Sequence, residues 1–226
     1  MSLSTSRDLA TLRPEYDALY SSMTVNPSRV ASADATARRI AANEARYRSV
    51  ADPLGIPWYF VGVIHSLEGG GFSAHLHNGD PLTARTTHVP AGRPVAGNPP
   101  FTWEESARDA LLSRGFDRWT DWSVAGMLFQ LEKYNGFGYR TRGLASPYLW
   151  SFSNHYQRGK FTSDGQYDPN AVSAQTGAAV LLRRMADLGM IGAGNGGGTA
   201  GSSLAWPIAI LAIAAGAVGY VLLSDD

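Results

Sequence analysis

The stretch that decides the fold is Ile56 to Arg93, IPWYFVGVIHSLEGGGFSAHLHNGDPLTARTTHVPAGR. From Trp58 to Leu67 it is apolar almost all round, and Pro57 suits a first helical turn, where its missing N–H costs nothing. A helix apolar on most faces is buried, so this one is expected to form the centre of the domain. Its aromatic and β-branched content would also suit a strand, but its length between Pro57 and a glycine stop favours a helix. Glu68 then falls in the last turn, followed at once by Gly69, Gly70 and Gly71. The negative helix end and partial burial both disfavour a carboxylate there. A raised pKa is what a general acid working near neutral pH requires. The plainer reading is an exposed glutamate before a glycine cap.

The residues after Glu68 are turn-rich. Phe72 to Asn78 reads as a short strand, and Asn78-Gly79-Asp80-Pro81 as a turn, which together predict a small β-hairpin. Asp80 lies twelve residues beyond Glu68, and Thr86 lies six beyond Asp80, with Thr83 and Thr87 close by. A helix ending in Glu, then a polar hairpin with this Asp-to-Thr step, resembles the lysozyme superfamily, although the Glu-to-Asp step is longer than in phage-type lysozymes. The strings HLHNGDPLTARTTHVPAGRP, EKYNGFGYR and SPYLWSFSNHYQRGK are similar to phage and bacterial lysozyme-like proteins, over roughly Leu12 to Met185. The resemblance implies a mainly α-helical, lysozyme-like α+β domain that cuts peptidoglycan glycan strands. Glu68 would be the acid, with Asp80 and Thr86 as candidate partners. Tyr134-Asn135-Gly136 is similar to a stretch that lines the sugar cleft in goose-type lysozymes and lytic transglycosylases. Glu132 is the alternative acid.

Further candidates come from residue chemistry. Sugar sites combine aromatic platforms with amides and hydroxyls, a description that Tyr148, Trp150, Asn154 and Tyr156 fit; tryptophans near a proline also serve simply as core. Tyr139 and Arg140 could reach a glycan or a peptide stem. His75 and His77 alternate, so on a strand they share a face. With Asn78 they are expected to hold the hairpin and line the cleft. With His65, Asp80 or Glu68 they could instead hold Zn²⁺. No HExxH motif is present, and neither a metal nor another cofactor is expected. A non-catalytic wall-binding protein of lysozyme-like shape is the remaining alternative.

Elsewhere, helices are expected from Arg7 to Met23, broken near Pro14, and from Asp34 to Val50 with Ile40, Ala41, Ala45 and Tyr47 inward. Asn26-Pro27 marks a start, Val89 to Pro100 is irregular, and Thr102 to Glu105 reads as a capping box for a helix to about Leu112. Another helix is expected from Asp117 to Tyr134, stopped by Asn135-Gly136, and a last one from Asp168-Pro169 to Gly189.

The 226 residues leave room for one sizeable domain, 1–190, and an appendage. Residues 191–203 are a Gly/Ser-rich linker. Residues 204–223 carry no charge and match a bilayer's thickness, so they are expected to form a single transmembrane helix with Trp206 and Tyr220 near its two interfaces. The polar N-terminus does not read as a secretory signal. The expected partners are peptidoglycan and a lipid bilayer, either a virion membrane or a bacterial inner membrane. Basic and acidic residues balance at 19 each; setting aside Asp225 and Asp226 leaves +2, too little to argue for nucleic acid. There is no cysteine, hence no disulfide or thiolate metal site.

Overall fold

The computed structural model describes residues 3–192, except 70 and 164. The expected membrane helix at 204–223 and the linker from 193 onward lie outside the described residues. Among the described ones, no helix is long and apolar enough to cross a membrane.

The central helix is where the sequence puts it. It runs from Trp58 to Leu67 (α4, the fourth helix), with Pro57 as its cap and Phe60, Val61, Val63 and Ile64 wholly buried. Three helices precede it: α1 (Leu9–Ser22), α2 (Val30–Ala41) and α3 (Glu44–Ala51). Among the described residues four follow: α5 (Trp103–Ser113), α6 (Val124–Asn135), α7 (Pro147–Trp150) and α8 (Ala178–Asp187). α4 packs on α2, α3 and α8, while α6 packs on α1, α7 and α8. One buried cluster runs through all of them.

The contact of α4 with α2 and α3 depends on Gly62. A Cβ there would stand 2.5 Å from Ile40 Cγ2 and 3.2 Å from the Tyr47 ring. Gly62→Ala gains about 1 kcal/mol of helix propensity but forces two packed helices apart, which typically costs about 1–3 kcal/mol. A net loss of stability is expected in thermal or urea unfolding. A variant at least as stable as wild type would show that the interface yields.

Several boundaries differ from the sequence expectation. α1 continues through Pro14 because Asp8 caps it and Leu12 and Tyr16, both fully buried, anchor it on either side of the proline. The expected 34–50 helix is two helices. Asn43 interrupts it, turning its amide back onto the Arg39 carbonyl (2.9 Å) in competition with the backbone ladder. Ala45 is consequently exposed, while Ile40 and Tyr47 are buried as expected. α6 begins at Val124, not Asp117, because Ser123 caps it and Gly126 lies against the Asp121 carbonyl with no room for a Cβ. Asp168-Pro169 does not open α8; Asp168 accepts from the Asn170 N–H in a turn, and the helix starts after Gly177. Thr102 and Glu105 form the capping box in full.

The hairpin after Glu68 is not formed. Residues 71–101 are irregular, with one isolated bridge between Ala74 and Pro81. His75, Leu76 and His77 are buried in succession, a pattern that a half-exposed strand cannot provide. The antiparallel pair lies instead at β1 (Lys160–Ser163) and β2 (Gln166–Asp168), with Phe161 opposite Tyr167. Its signal is the Asp164-Gly165 dipeptide between two short aromatic-containing runs. The domain is therefore mainly helical with a small two-stranded antiparallel sheet, but that sheet follows α7.

Candidate functional site

Glu68 caps α4. Its N–H donates to the Ile64 carbonyl (2.9 Å), and Gly69 at φ 81° turns the chain away where a Cβ would be strained. The carboxyl is partly buried. Tyr148, at the start of α7, donates its hydroxyl to Glu68 Oε1 (3.1 Å). Burial raises the Glu68 pKa, against smaller downward pulls from the Tyr148 hydrogen bond and the Arg114 charge. Burial also pushes Tyr148 well above its ordinary value, and the carboxylate beside it acts in the same direction, so the phenol keeps its proton and donates.

Two more groups frame this pair. Gln175 Nε2 donates to the Leu67 carbonyl (2.9 Å), placing an amide one residue from Glu68. Tyr134 donates its hydroxyl to the Leu76 carbonyl (2.9 Å), and the Arg114 guanidinium sits 4.5 Å from its ring centroid. Burial raises Tyr134 as well, so it too stays protonated.

Tyr148 and Gln175 line a cavity of about 160 Å³ with Asn135, Tyr139 and Lys160. Asn135, Tyr139 and Phe161 carry it on into a wider one of about 600 Å³ beside Gly136, Gly138 and Gly165. The two make one cleft between the end of α6 and the hairpin. Gly136 allows the sharp exit from α6 at φ 87°. The Tyr139 hydroxyl accepts from the Phe161 N–H (2.8 Å), fixing the hairpin to the opposite wall.

Of the residues nominated from sequence, Asn135, Gly136, Tyr139 and Tyr148 line this cleft; Glu68 meets it only through the Tyr148 hydroxyl, and Tyr134 lies outside its lining, bonded to Leu76. The others do not line it. Asp80 is the anchor of its own loop: it accepts from the N–H groups of Thr87 (2.7 Å) and His88 (3.0 Å), and its Oδ1 meets His88 Nδ1 at 2.6 Å. The His88 N–H, then the His88 ring and the Thr87 N–H, hold its carboxyl far below the usual carboxylate range. Thr86 is buried, donating to the Pro90 carbonyl and accepting from the Arg93 N–H. Asn78 bridges the Asp80 N–H and the His88 carbonyl. His75 and His77 both meet Ser106 of α5, and His77 Nε2 also binds Asp109 (2.8 Å), so they clamp the 71–101 segment to the bundle and do not line this cleft. His65 turns to Tyr47. Among the described residues, no group of three or more metal-ligating side chains gathers, so the zinc alternative has no site there.

Arg140 and Glu132 are closed to any substrate. They pair with each other at 2.7 Å, and each side chain is 2% exposed. Trp150 is core, 1% exposed. Asn154 spends its amide on the Thr24 N–H and the Ser22 carbonyl, and the Tyr156 hydroxyl accepts from the Ser173 N–H. Gln175, Arg114 and the hairpin wall were missed from sequence. A lone glutamine and a lone arginine in polar surroundings carry no signal of their own; only the Asp-Gly turn did.

Tyr148→Phe provides a direct test of the electrostatics. The hydrogen bond it removes stabilises the carboxylate, so the Glu68 pKa is expected to move further up, read by NMR titration of its side-chain carboxyl carbon. An unchanged or lower value would mean that the phenol does not act on the acid.

No protein-family model, curated protein or solved structure matches the chain.

Proposed function

We propose that the chain is a peptidoglycan glycosidase in which Glu68 protonates the glycosidic oxygen between two amino sugars. The observation that carries the reading is a desolvated carboxyl with a raised pKa, hydrogen-bonded to Tyr148, which itself lines a cleft of aromatic, amide and glycine residues. A carboxyl whose pKa is raised by burial, one hydrogen bond from a groove, is suited to general-acid catalysis. Aromatic faces such as Phe161 suit the apolar faces of pyranose rings, and Asn135 and Gln175 suit their hydroxyl edges.

Both two-carboxylate routes need a second acid across the bond. Asp80 is committed to the Thr87–His88 loop, which favours the route in which Glu68 alone acts as acid and then as base. On that route a hydroxyl of the substrate itself attacks the oxocarbenium-like centre and yields an anhydro-sugar. Arg114 would steady the carboxylate form between the two steps. Residues 204–223 are proposed to hold the enzyme at a bilayer, in a virion membrane or a bacterial inner membrane.

Digestion of purified peptidoglycan by the full chain, with products read by mass spectrometry, tests the reading. Anhydro-muramyl ends are expected. Reducing muramyl ends would replace the single-acid route by hydrolysis, and release of neither would remove the glycosidase reading. The bilayer proposal predicts that the full chain requires detergent for extraction from membranes whereas a chain ended after Met190 does not.

A further inference from the structure

The last turn of α4 serves two sides. Glu68 reaches Tyr148 and the cleft. His65, Ser66 and Gly69 instead line a second cavity of about 500 Å³, together with Arg39, Asn43 and Phe72. None of its lining residues is shared with the cleft.

His65 is 3% exposed. Its Nδ1 stands 2.9 Å from the Tyr47 hydroxyl, while its Nε2 is buried without a partner among the described residues. The Gly71 carbonyl is near but outside hydrogen-bond geometry. Burial pushes the Tyr47 phenol up to about 12 and pulls the imidazole down. Nδ1 is the only hydrogen-bond partner of the Tyr47 hydroxyl among the described residues, so the protonated phenol donates to it and the neutral ring carries its one proton on Nε2. A buried N–H with no acceptor forfeits its full desolvation energy, so an acceptor belongs at this position.

The rest of the cavity indicates which acceptor. Among the described residues Arg39 has no ion pair; its guanidinium donates to Thr36 Oγ1 at 3.3 Å. The neighbouring Arg46 lies over Phe72 but is neutralised by Glu104. No carboxylate is among the lining residues, and the floor is apolar, made by Ile40, Tyr47 and Phe72. A single water, which takes about 30 Å³, would satisfy His65 but would occupy only a small part of the space and would not use the Arg39 charge at its rim. A free guanidinium and an imidazole N–H above an apolar floor fit a carboxylate on a small apolar body.

We propose that this cavity binds the C-terminal carboxylate of a peptide ending in a small apolar residue, the stem peptide borne by the glycan that Glu68 cleaves. The stem assignment rests on the glycosidase reading; the carboxylate site does not. Calorimetry on the full chain with N-acetyl-D-alanyl-D-alanine, its C-terminal amide and acetate tests both. The acid is expected to bind at least ten-fold more tightly than the amide, and Arg39→Gln to weaken it at least ten-fold. Arg39 is exposed, so this variant should keep the fold. The His65 Nε2–H resonance should shift on binding. Equal affinity of acid and amide, or an unaffected Arg39→Gln, would overturn the site. Acetate binding as tightly as the dipeptide would keep the carboxylate site but overturn the stem assignment in favour of a free small carboxylate. Peptide binding without any glycan cleavage would separate this site from a failed glycosidase reading.

Discussion

Glu68→Gln is expected to lower glycan cleavage by about 10²–10⁴-fold, the usual contribution of a positioned general acid, without loss of fold. The amide is close in shape to the carboxyl and still accepts from the Tyr148 hydroxyl, so the packing around the end of α4 is retained. The pH dependence follows from the direction of the shift. Glu68 must be protonated to act, and burial raises its pKa. Wild-type activity should therefore persist above the ordinary glutamate range and fall as pH rises through the raised value. Stability has the same sign. The folded state holds the Glu68 proton more tightly than the unfolded chain does, so this contribution is full below about 4.3, the ordinary glutamate value, and is lost as pH climbs through the folded value. The Gln variant lacks this loss and should unfold at a temperature equal to or above that of wild type at neutral pH. Kinetics and melting on the same samples check both halves. A fully active Gln variant would remove Glu68 from the mechanism.

The sequence made α4 legible because burial on every face leaves an unbroken apolar run, and made the Thr102–Glu105 cap legible because its partners are three residues apart. It made Glu68 and Tyr134-Asn135-Gly136 legible as helix ends, since each terminates a buried helix whose end is marked by glycine. It misplaced the sheet, because alternating histidines at 75 and 77 look like one face of a strand when in fact Leu76 between them is equally buried. It gave Asp80 a chemical role because a carboxylate in a turn looks available. The groups that consume it are mostly backbone N–Hs, of Thr87 and His88, which no pattern of side chains displays. The choice between Glu68 and Glu132 was equally hidden: both end apolar helical runs, and what separates them comes from distant parts of the chain.

That separation supports the second large effect, expected at Arg140. Glu132 Oε2 accepts from Arg140 Nε (2.9 Å) and Nη2 (2.7 Å) and from the Tyr16 hydroxyl, all out of solvent. Arg140 Nη1 continues to Glu15 Oε1 (2.7 Å) and the Ser4 carbonyl (2.8 Å), and Glu15 Oε2 accepts the Ser4 N–H (2.7 Å). One guanidinium thus joins α1, α6 and the segment before α1, and it is the only cation bonded to Glu132 among the described residues. Arg140→Met would leave a buried carboxylate at Glu132 with no counter-charge, a change that typically costs about 3–5 kcal/mol, read as a lower urea midpoint at neutral pH. A second substitution distinguishes lost charge balance from lost packing. Adding Glu132→Gln to Arg140→Met should recover part of the deficit, since removing both members of a buried pair costs less than removing one. A deficit that is small, or that the second substitution does not reduce, would mean that Arg140 acts by filling space. Glu132 would then lack the pairing that sets it apart from Glu68.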